Sequence, residues 1–337
     1  MKIHEIGEFG LIARLTSEIE TGAGVVKGIG DDAAVLDNGE RLLLFTTDAV
    51  VEGVHFDLQH VAVEDVGYKS LAVNISDIAA MGGKPTYAVI SVGLPDYFTV
   101  ADADALYRGL REVARNYGVA VVGGDTTGAP VLIVSVALLG EASPAGVRYR
   151  SSALPGDIVC VTGSLGGSAG GLFLQENGGF PCPEPLRDLL LRKHRRPEPR
   201  VAAGRMLGTL SGVHALIDIS DGLASDASHI ARASGVRCHI YKAAVPVEPA
   251  TELVARRAGK DPVDWGLYGG EDYELLFTVA PAAMGEVSAA LSECGADCRP
   301  VGKVLEGKGL WMVLTDGSLT ELSRRGYEHF AAAGGNR

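Results

Sequence analysis

Strand-like and helix-like apolar segments alternate from Arg41 onward, and aspartates stand at or near the ends of many of them. "RLLLFTTDAV" reads as a buried strand that turns polar toward Asp48. "VEDVGYKSLAVNISDIAAMGGKP" carries Leu71, Ile75 and Ile78 at helical spacing, and Gly82, Gly83 and Pro85 stop it. "TYAVISVGLP" predicts a strand, "ADALYRGLREVARNYG" a helix, "VAVVGGDTT" a strand end and "VLIVSVALLG" another strand. "EASPAGVRYRSSALPGD" has no apolar period and is rich in Pro, Gly and Ser, which puts a domain boundary near Glu141 to Pro155. A second series follows, with strands in "DIVCVTG", "HALIDIS", "YELLFTV" and "LWMVLTDG" and helices in "DGLASDASHIARASG" and "AMGEVSAALSECG". This mixture predicts an α/β or α+β chain of two domains, 1–142 and 150–337, in keeping with a length of 337 residues.

The acids ask for an explanation. Asp31 and Asp32 sit side by side in "GIGDDAAVL", and Asp77 lies one helical turn after Asn74, on the same face. Asp125 follows "VAVV" through two glycines, and Asp218 and Asp221 bracket Ser220 in "IDISDG". Singly, each is an ordinary turn former or helix cap. Together they are carboxylates near strand ends with few lysines close by in the chain, and buried carboxylates need compensation. Hard oxygen donors suit Mg²⁺, and Thr46 and Thr47 add hydroxyls beside Asp48. At least one of Asp31 and Asp32 is therefore expected to meet a divalent cation, together with a nucleotide. Gly123 and Gly124 leave room for a phosphate against the backbone. "TGSLGGSAGG", Thr162 to Gly171, either offers amides to an anion at a helix start or lets helices pack closely.

Several classes are excluded. With 30 Lys plus Arg against 42 Asp plus Glu, the net charge of −12 gives no general pull toward nucleic acid or an anionic membrane. The opening "MKIHEIGEFGLIARL" has no run long enough for a signal or membrane helix, so a soluble cytoplasmic protein is expected. Five cysteines form no CxxC pair and read as free thiols. "GIGDDA" fits GxGxxA, but a strand, not a helix, is predicted after it, which removes a dinucleotide site. No GxxxxGK[ST] is present.

"GEFGLI", "GIGDDAA", "TTDAVVEGVHF", "NISDIAAMGGKP", "GGDTT", "ISDGLASD", "GGEDYELLFT" and "RGYEHF", in this order from Gly7 to Phe330, resemble the thiamine-monophosphate kinase family. The wider resemblance is to the superfamily of aminoimidazole ribonucleotide synthetase and selenophosphate synthetase. It implies a two-domain fold in which an N-terminal mixed sheet forms a barrel across a homodimer and a C-terminal α+β domain closes the site. The implied reaction is ATP-dependent phosphorylation of thiamine monophosphate to thiamine diphosphate, the last step in making that cofactor. The family's metal cluster maps onto Asp32, Thr46, Thr47, Asp48, Asp77, Asp125, Asp218 and Asp221, with Asp48, Asp77 and Asp125 acting in catalysis through Mg²⁺. Nucleotide contacts map onto Tyr107, Gly124, Asp125, Arg150 and Ser220, and acceptor contacts onto His55, Glu271 and Tyr327. The residue types fit. The attacking group is a phosphate oxygen already ionised near neutral pH, so the chain needs no general base and a direct transfer suffices. Glu271 is expected to face the cationic thiazolium, and Tyr327 to stack on a substrate ring. The rivals are another ATP-dependent member of the superfamily and a scaffold that holds nucleotide without catalysis. Selenide chemistry would want a reactive Cys in an N-terminal glycine-rich loop, whereas the first Cys here is Cys160.

Overall fold

The structure is a computed structural model that describes residues 2–20 and 22–322. The N-terminal half holds α1 (Gly7–Thr16), β1 (Val25–Lys27), β2 (Ala34–Asp37), β3 (Leu42–Val51), α2 (Val63–Ala80), β4 (Lys84–Leu94), α3 (Val100–Tyr117), β5 (Ala120–Gly128) and β6 (Ile133–Ala142). Its strands form one mixed sheet in the order β1-β2-β3-β6-β4-β5. β3, β6 and β4 pair antiparallel, whereas β5 runs parallel to β4 at the sheet edge. Alternation sorts the side chains. Val134, Val136 and Leu138 of β6 point into the core, where α2 covers them.

The C-terminal half holds β7 (Ile158–Val161), α4 (Gly167–Glu176), α5 (Glu184–Arg195), α6 (Val201–Thr209), β8 (Val213–Asp218), α7 (Leu223–Ser234), β9 (Arg237–Tyr241), α8 (Pro249–Arg257), α9 (Pro262–Tyr268), β10 (Leu275–Val279), α10 (Met284–Glu293), β11 (Arg299–Leu305), β12 (Gly309–Val313) and β13 (Leu319–Glu321). These seven strands make a second sheet, in the order β13-β12-β9-β11-β7-β10-β8.

Helix α2 joins the halves. Fourteen of its eighteen residues are buried, which an amphipathic surface helix does not show. It packs on β3 and β6, on α3, and on β8 and α6 of the other half. That crowded setting is why its apolar positions run beyond a single stripe and why Lys69, Asn74 and Ser76 are buried within it.

The expected strands and helices fall where the patterns put them, with one change of extent. "VAVVGGDTT" is not a strand end. β5 continues through Gly123, Gly124 and Asp125 to Gly128. Gly124 is required there because a Cβ would lie 2.0 Å from the Ile90 carbonyl oxygen of β4. The glycine thus serves strand pairing whether or not a phosphate also approaches it.

Candidate active site

The ends of β3, α2 and β8 converge, and each brings an acid. Asp32, from the turn before β2, joins Asp77 of α2 and Asp218 at the end of β8, with carboxylate oxygens all within 4.8 Å of one another. Neutral donors hold the group in place. Thr46 Oγ1 donates to Asp77 Oδ2 at 2.6 Å, and Ser76 Oγ donates to Asp218 Oδ2 at 2.5 Å. The Asp48 amide donates to Asn74 Oδ1 at 2.9 Å, which ties the end of β3 to α2.

Crowded acids resist ionisation. Burial, reinforced by Asp218 and Asp31 against the pull of Arg150, pushes Asp32 up to about 8. Burial likewise raises Asp218 to about 6. Asp77 is raised well above the ordinary carboxylate range, by burial first and then by Asp48, Asp218 and Asp32. The oxygen Asp32 Oδ2 is buried and accepts no hydrogen bond. Three hard carboxylates around an unpartnered buried oxygen fit a small divalent cation such as Mg²⁺.

The adjacent acids of "GIGDDAAVL" both lean on Arg150, and each keeps one buried oxygen, Asp31 Oδ2 and Asp32 Oδ2, without a hydrogen bond. Asp31 accepts from the Arg150 amide at 3.1 Å and lies 3.7 Å from Lys27 Nζ. Asp32 takes a short hydrogen bond from the Arg150 guanidinium through Oδ1 and turns its other oxygen loose. Arg150, expected at the nucleotide, is thus bound to both acids.

The remaining expected residues lie outside this group of three. Thr47, on the face of β3 opposite Thr46, donates to the Val136 carbonyl at 2.8 Å. Asp125 and Gly124 lie on the exposed edge strand. Tyr107 of α3 packs against the N-terminal core. Ser220 accepts the Glu271 amide on its carbonyl at 2.7 Å, which brings the "GGEDYELL" loop alongside the end of β8. Asp221 lies with Asp226 and His229, their ligand atoms within 4.8 Å, and burial raises Asp221 to about 7. His55 accepts from the Val51 amide on Nδ1 at 3.1 Å and lines a cavity of about 10 Å³ with Lys69 and His194, room for about one water. Tyr327 and the "RGYEHF" segment lie outside the described residues.

Two features of the loop depart from the sequence expectations. Glu271 is already in an ion pair with Lys69, whose Nζ lies 2.6 Å from Oε1, and His194 Nδ1, on a ring whose pKa burial and Lys69 lower, lies 3.2 Å from Oε2. Burial would raise its carboxyl, but Lys69 and His194 outweigh that and hold it well below the usual range. The amides of the "TGSLGGSAGG" turn are also occupied. Asp272 accepts from Gly166 N at 2.6 Å and Ser168 N at 3.1 Å, so an internal carboxylate takes the anion position at the start of α4. Gly171 serves close packing, because a Cβ there would lie 2.1 Å from the Leu190 carbonyl oxygen of α5. Sequence reasoning passed over Lys69, Ser76 and His194. Lys69, Ser76 and Asp77 stand at i, i+7 and i+8, one stripe of α2, and that spacing is the signal that could have found the first two.

Residues 30–142 match the family described as AIR synthase related protein, N-terminal domain, and residues 155–314 match its C-terminal domain. The chain is 38% identical over 330 residues to the thiamine-monophosphate kinase of Bacillus subtilis (strain 168), covering 96% of this chain and 99% of the relative. It is 36% identical to that of Aquifex aeolicus (strain VF5), over 98% of this chain and 100% of the relative. A solved structure of AaThiL complexed with AMPPCP and TMP superposes with a TM-score of 0.85 at 35% identity, covering 98% of this chain and 99% of that one. With both halves matched and near-complete coverage at this identity, the chain belongs to the thiamine-monophosphate kinase family.

Proposed function

We propose that this protein transfers the γ-phosphoryl group of ATP directly to thiamine monophosphate, giving thiamine diphosphate, with Mg²⁺ held by its acid cluster. The observation that carries the reading is the convergence of Asp32, Asp77 and Asp218, one ligand oxygen from each within 4.8 Å of the others, with Asp32 Oδ2 buried and without a hydrogen bond. Its placement in a family whose solved relative was complexed with AMPPCP and TMP supports both substrates.

Asp32, Asp77 and Asp218 would hold the metal, with Thr46, Thr47, Asp48, Asp125 and Asp221 completing the set as the family resemblance implies. Bound there, Mg²⁺ supplies the positive charge that lets two polyanions meet and offsets charge on the transferring group. The chain's own part is placement. Thr46 and Ser76 orient Asp77 and Asp218 by hydrogen bonds, and Asn74 fixes the backbone at Asp48. Arg150 balances Asp31 and Asp32 and, in this reading, also serves the nucleotide with Tyr107, Gly124, Asp125 and Ser220. His55, Glu271 and Tyr327 receive the acceptor. No side chain has to remove a proton, since the acceptor phosphate is mostly ionised near neutral pH.

The protein is further proposed to act as a homodimer built on its N-terminal sheet. Phe45, Leu139 and Tyr87 pair in register across β3, β6 and β4, and Val89 follows on the same face. Phe45, Tyr87 and Val89 are exposed, an apolar row that a second copy would cover.

The test is purified protein with ATP, Mg²⁺ and thiamine monophosphate, scored for thiamine diphosphate, with unphosphorylated thiamine run in parallel. Product is expected only from the monophosphate, and excess EDTA is expected to abolish it until Mg²⁺ is restored. Full turnover in chelator would remove the metal reading. Ping-pong kinetics would remove direct transfer.

A further inference from the structure

We infer that Lys69 and His194 are positioning residues for the acceptor, holding Glu271 as a fixed, charge-compensated hydrogen-bond acceptor rather than as a free anion. The inference rests on the reading above that Glu271 contacts thiamine monophosphate. The three residues come from distant parts of the chain: Lys69 from α2, His194 from α5, Glu271 from the loop before β10. Lys69 and His194 side chains are 9% and 6% exposed, whereas Glu271 keeps 28%. Two of the four acceptor positions of the carboxylate are used by these partners, and its exposed side remains for a ligand.

The backbone supports the same conclusion. Glu271 has φ +65° and Tyr273 φ +51°, both left-handed positions that non-glycine residues seldom occupy. Such a conformation is strained and persists where surrounding contacts over-determine it. Here the amides of Glu271 and Tyr273 donate to Ser220 and Ile219 carbonyls at 2.7 and 2.9 Å, and the side chain is tied at both oxygens. His194 Nδ1 also meets Ser168 Oγ at 2.9 Å, which anchors the imidazole to the start of α4. Lys69 lies on the stripe of α2 that carries Ser76 and Asp77, so one helix sets both the acid cluster and Glu271.

A carboxylate balanced by a buried ammonium has little net attraction for a cationic ring. What it offers is a rigid acceptor for a hydrogen-bond donor on the substrate, such as an amino group on a ring. The two roles predict opposite signs for one variant. If Glu271 acts by charge, Lys69→Met removes a competing cation and lowers KM for thiamine monophosphate. If Glu271 acts by position, Lys69→Met frees the carboxylate and raises that KM.

The expected result for Lys69→Met is a rise in acceptor KM of roughly tenfold, about 1.4 kcal/mol, with KM for ATP changed less than twofold. Lys69→Arg is expected to recover part of the loss, and His194→Gln to raise the acceptor KM in the same direction. Lys69→Met combined with Glu271→Gln is expected to be no worse than the poorer single variant, because both act through one group. A lowered or unchanged acceptor KM in Lys69→Met, or additive losses in the double variant, overturns the inference. Wild-type protein inactive on thiamine monophosphate would instead remove the proposed function. The same four-protein cycle in urea unfolding then reads the Lys69–Glu271 coupling, and additive costs there would also overturn the inference.

Discussion

Asp77 lies in the field of Asp48, Asp218 and Asp32, with one hydroxyl to steady it. On the proposed mechanism Asp77→Asn and Asp48→Asn are each expected to cut kcat by at least roughly 100-fold, since each would remove a charged metal ligand at the reacting phosphates. Folding should survive, because an amide keeps the shape of the protonated carboxyl that burial favours at Asp77, and Asp48 is exposed. Steady-state kinetics with circular dichroism checks both, and near-wild-type kcat in the two variants would leave these acids no part in the reaction. The sequence made such acids visible because carboxylates stand out at the ends of apolar runs. Their partners were harder to see. Ser76 is an unremarked hydroxyl until β8 arrives beside it, and the chain does not announce that Lys69 will meet an acid 202 positions later. Glu271 was legible as an acid in a glycine turn, but its charge balance depends on two other elements.

At the scale of elements, α4 and α5 show why a motif can be seen while its purpose stays open. The glycines of "TGSLGGSAGG" fit both an anion site and a close helix contact, and the choice depends on what lies opposite. Opposite stand Asp272 at the amides and Leu190 against Gly171. Asp272→Ala is therefore expected to cost about 2 kcal/mol by stripping the start of α4 of its acceptor, and Asp272→Asn less, because one oxygen remains. Urea midpoints at constant slope measure the difference, and an unchanged midpoint in Asp272→Ala would mean water serves the amides equally well. The C-terminal end of α5 then ties the two halves together. Arg196 meets Asp65 at 2.5 Å and Glu112 at 2.9 Å and lies over the Tyr68 ring, while Arg195 donates to the His60 carbonyl at 2.6 Å. Local periodicity revealed α2, α3 and α7 because each has a clear apolar pattern. It did not reveal α5, whose "LRDLLLRKHRR" mixes both kinds of residue because it packs on α4 and reaches α2.

At the scale of the whole molecule, two properties follow from surfaces and charge. No helix among the described residues is long and apolar enough to cross a membrane. The exposed Phe45–Tyr87–Val89 row is the surface proposed above for a second copy of the chain. Phe45→Asp with Tyr87→Lys is expected to leave a folded monomer, measured by light scattering, and an unchanged mass would place any dimer contact elsewhere. The acid cluster governs the other property. In the metal-free protein Asp218, Asp221 and Asp32 hold their protons to about pH 6, 7 and 8, whereas in the unfolded chain they release them near pH 4. Between those limits the folded state binds more protons at these three acids, so their contribution to stability is fullest below about pH 4 and is lost as pH rises through 8. Glu271, held low by Lys69, works in the opposite sense, but its contribution is lost only on acidification below about pH 4. The melting temperature in EDTA is thus expected to decline from pH 5 to pH 8, and Mg²⁺ to raise it more at pH 8 than at pH 5, because the cation takes the place of protons. Melting curves in EDTA and in Mg²⁺ at both pH values decide this: a metal-free melting temperature that rises steadily from pH 5 to 8, with no Mg²⁺ effect at pH 8, would show that these carboxylates are ionised and balanced without a metal.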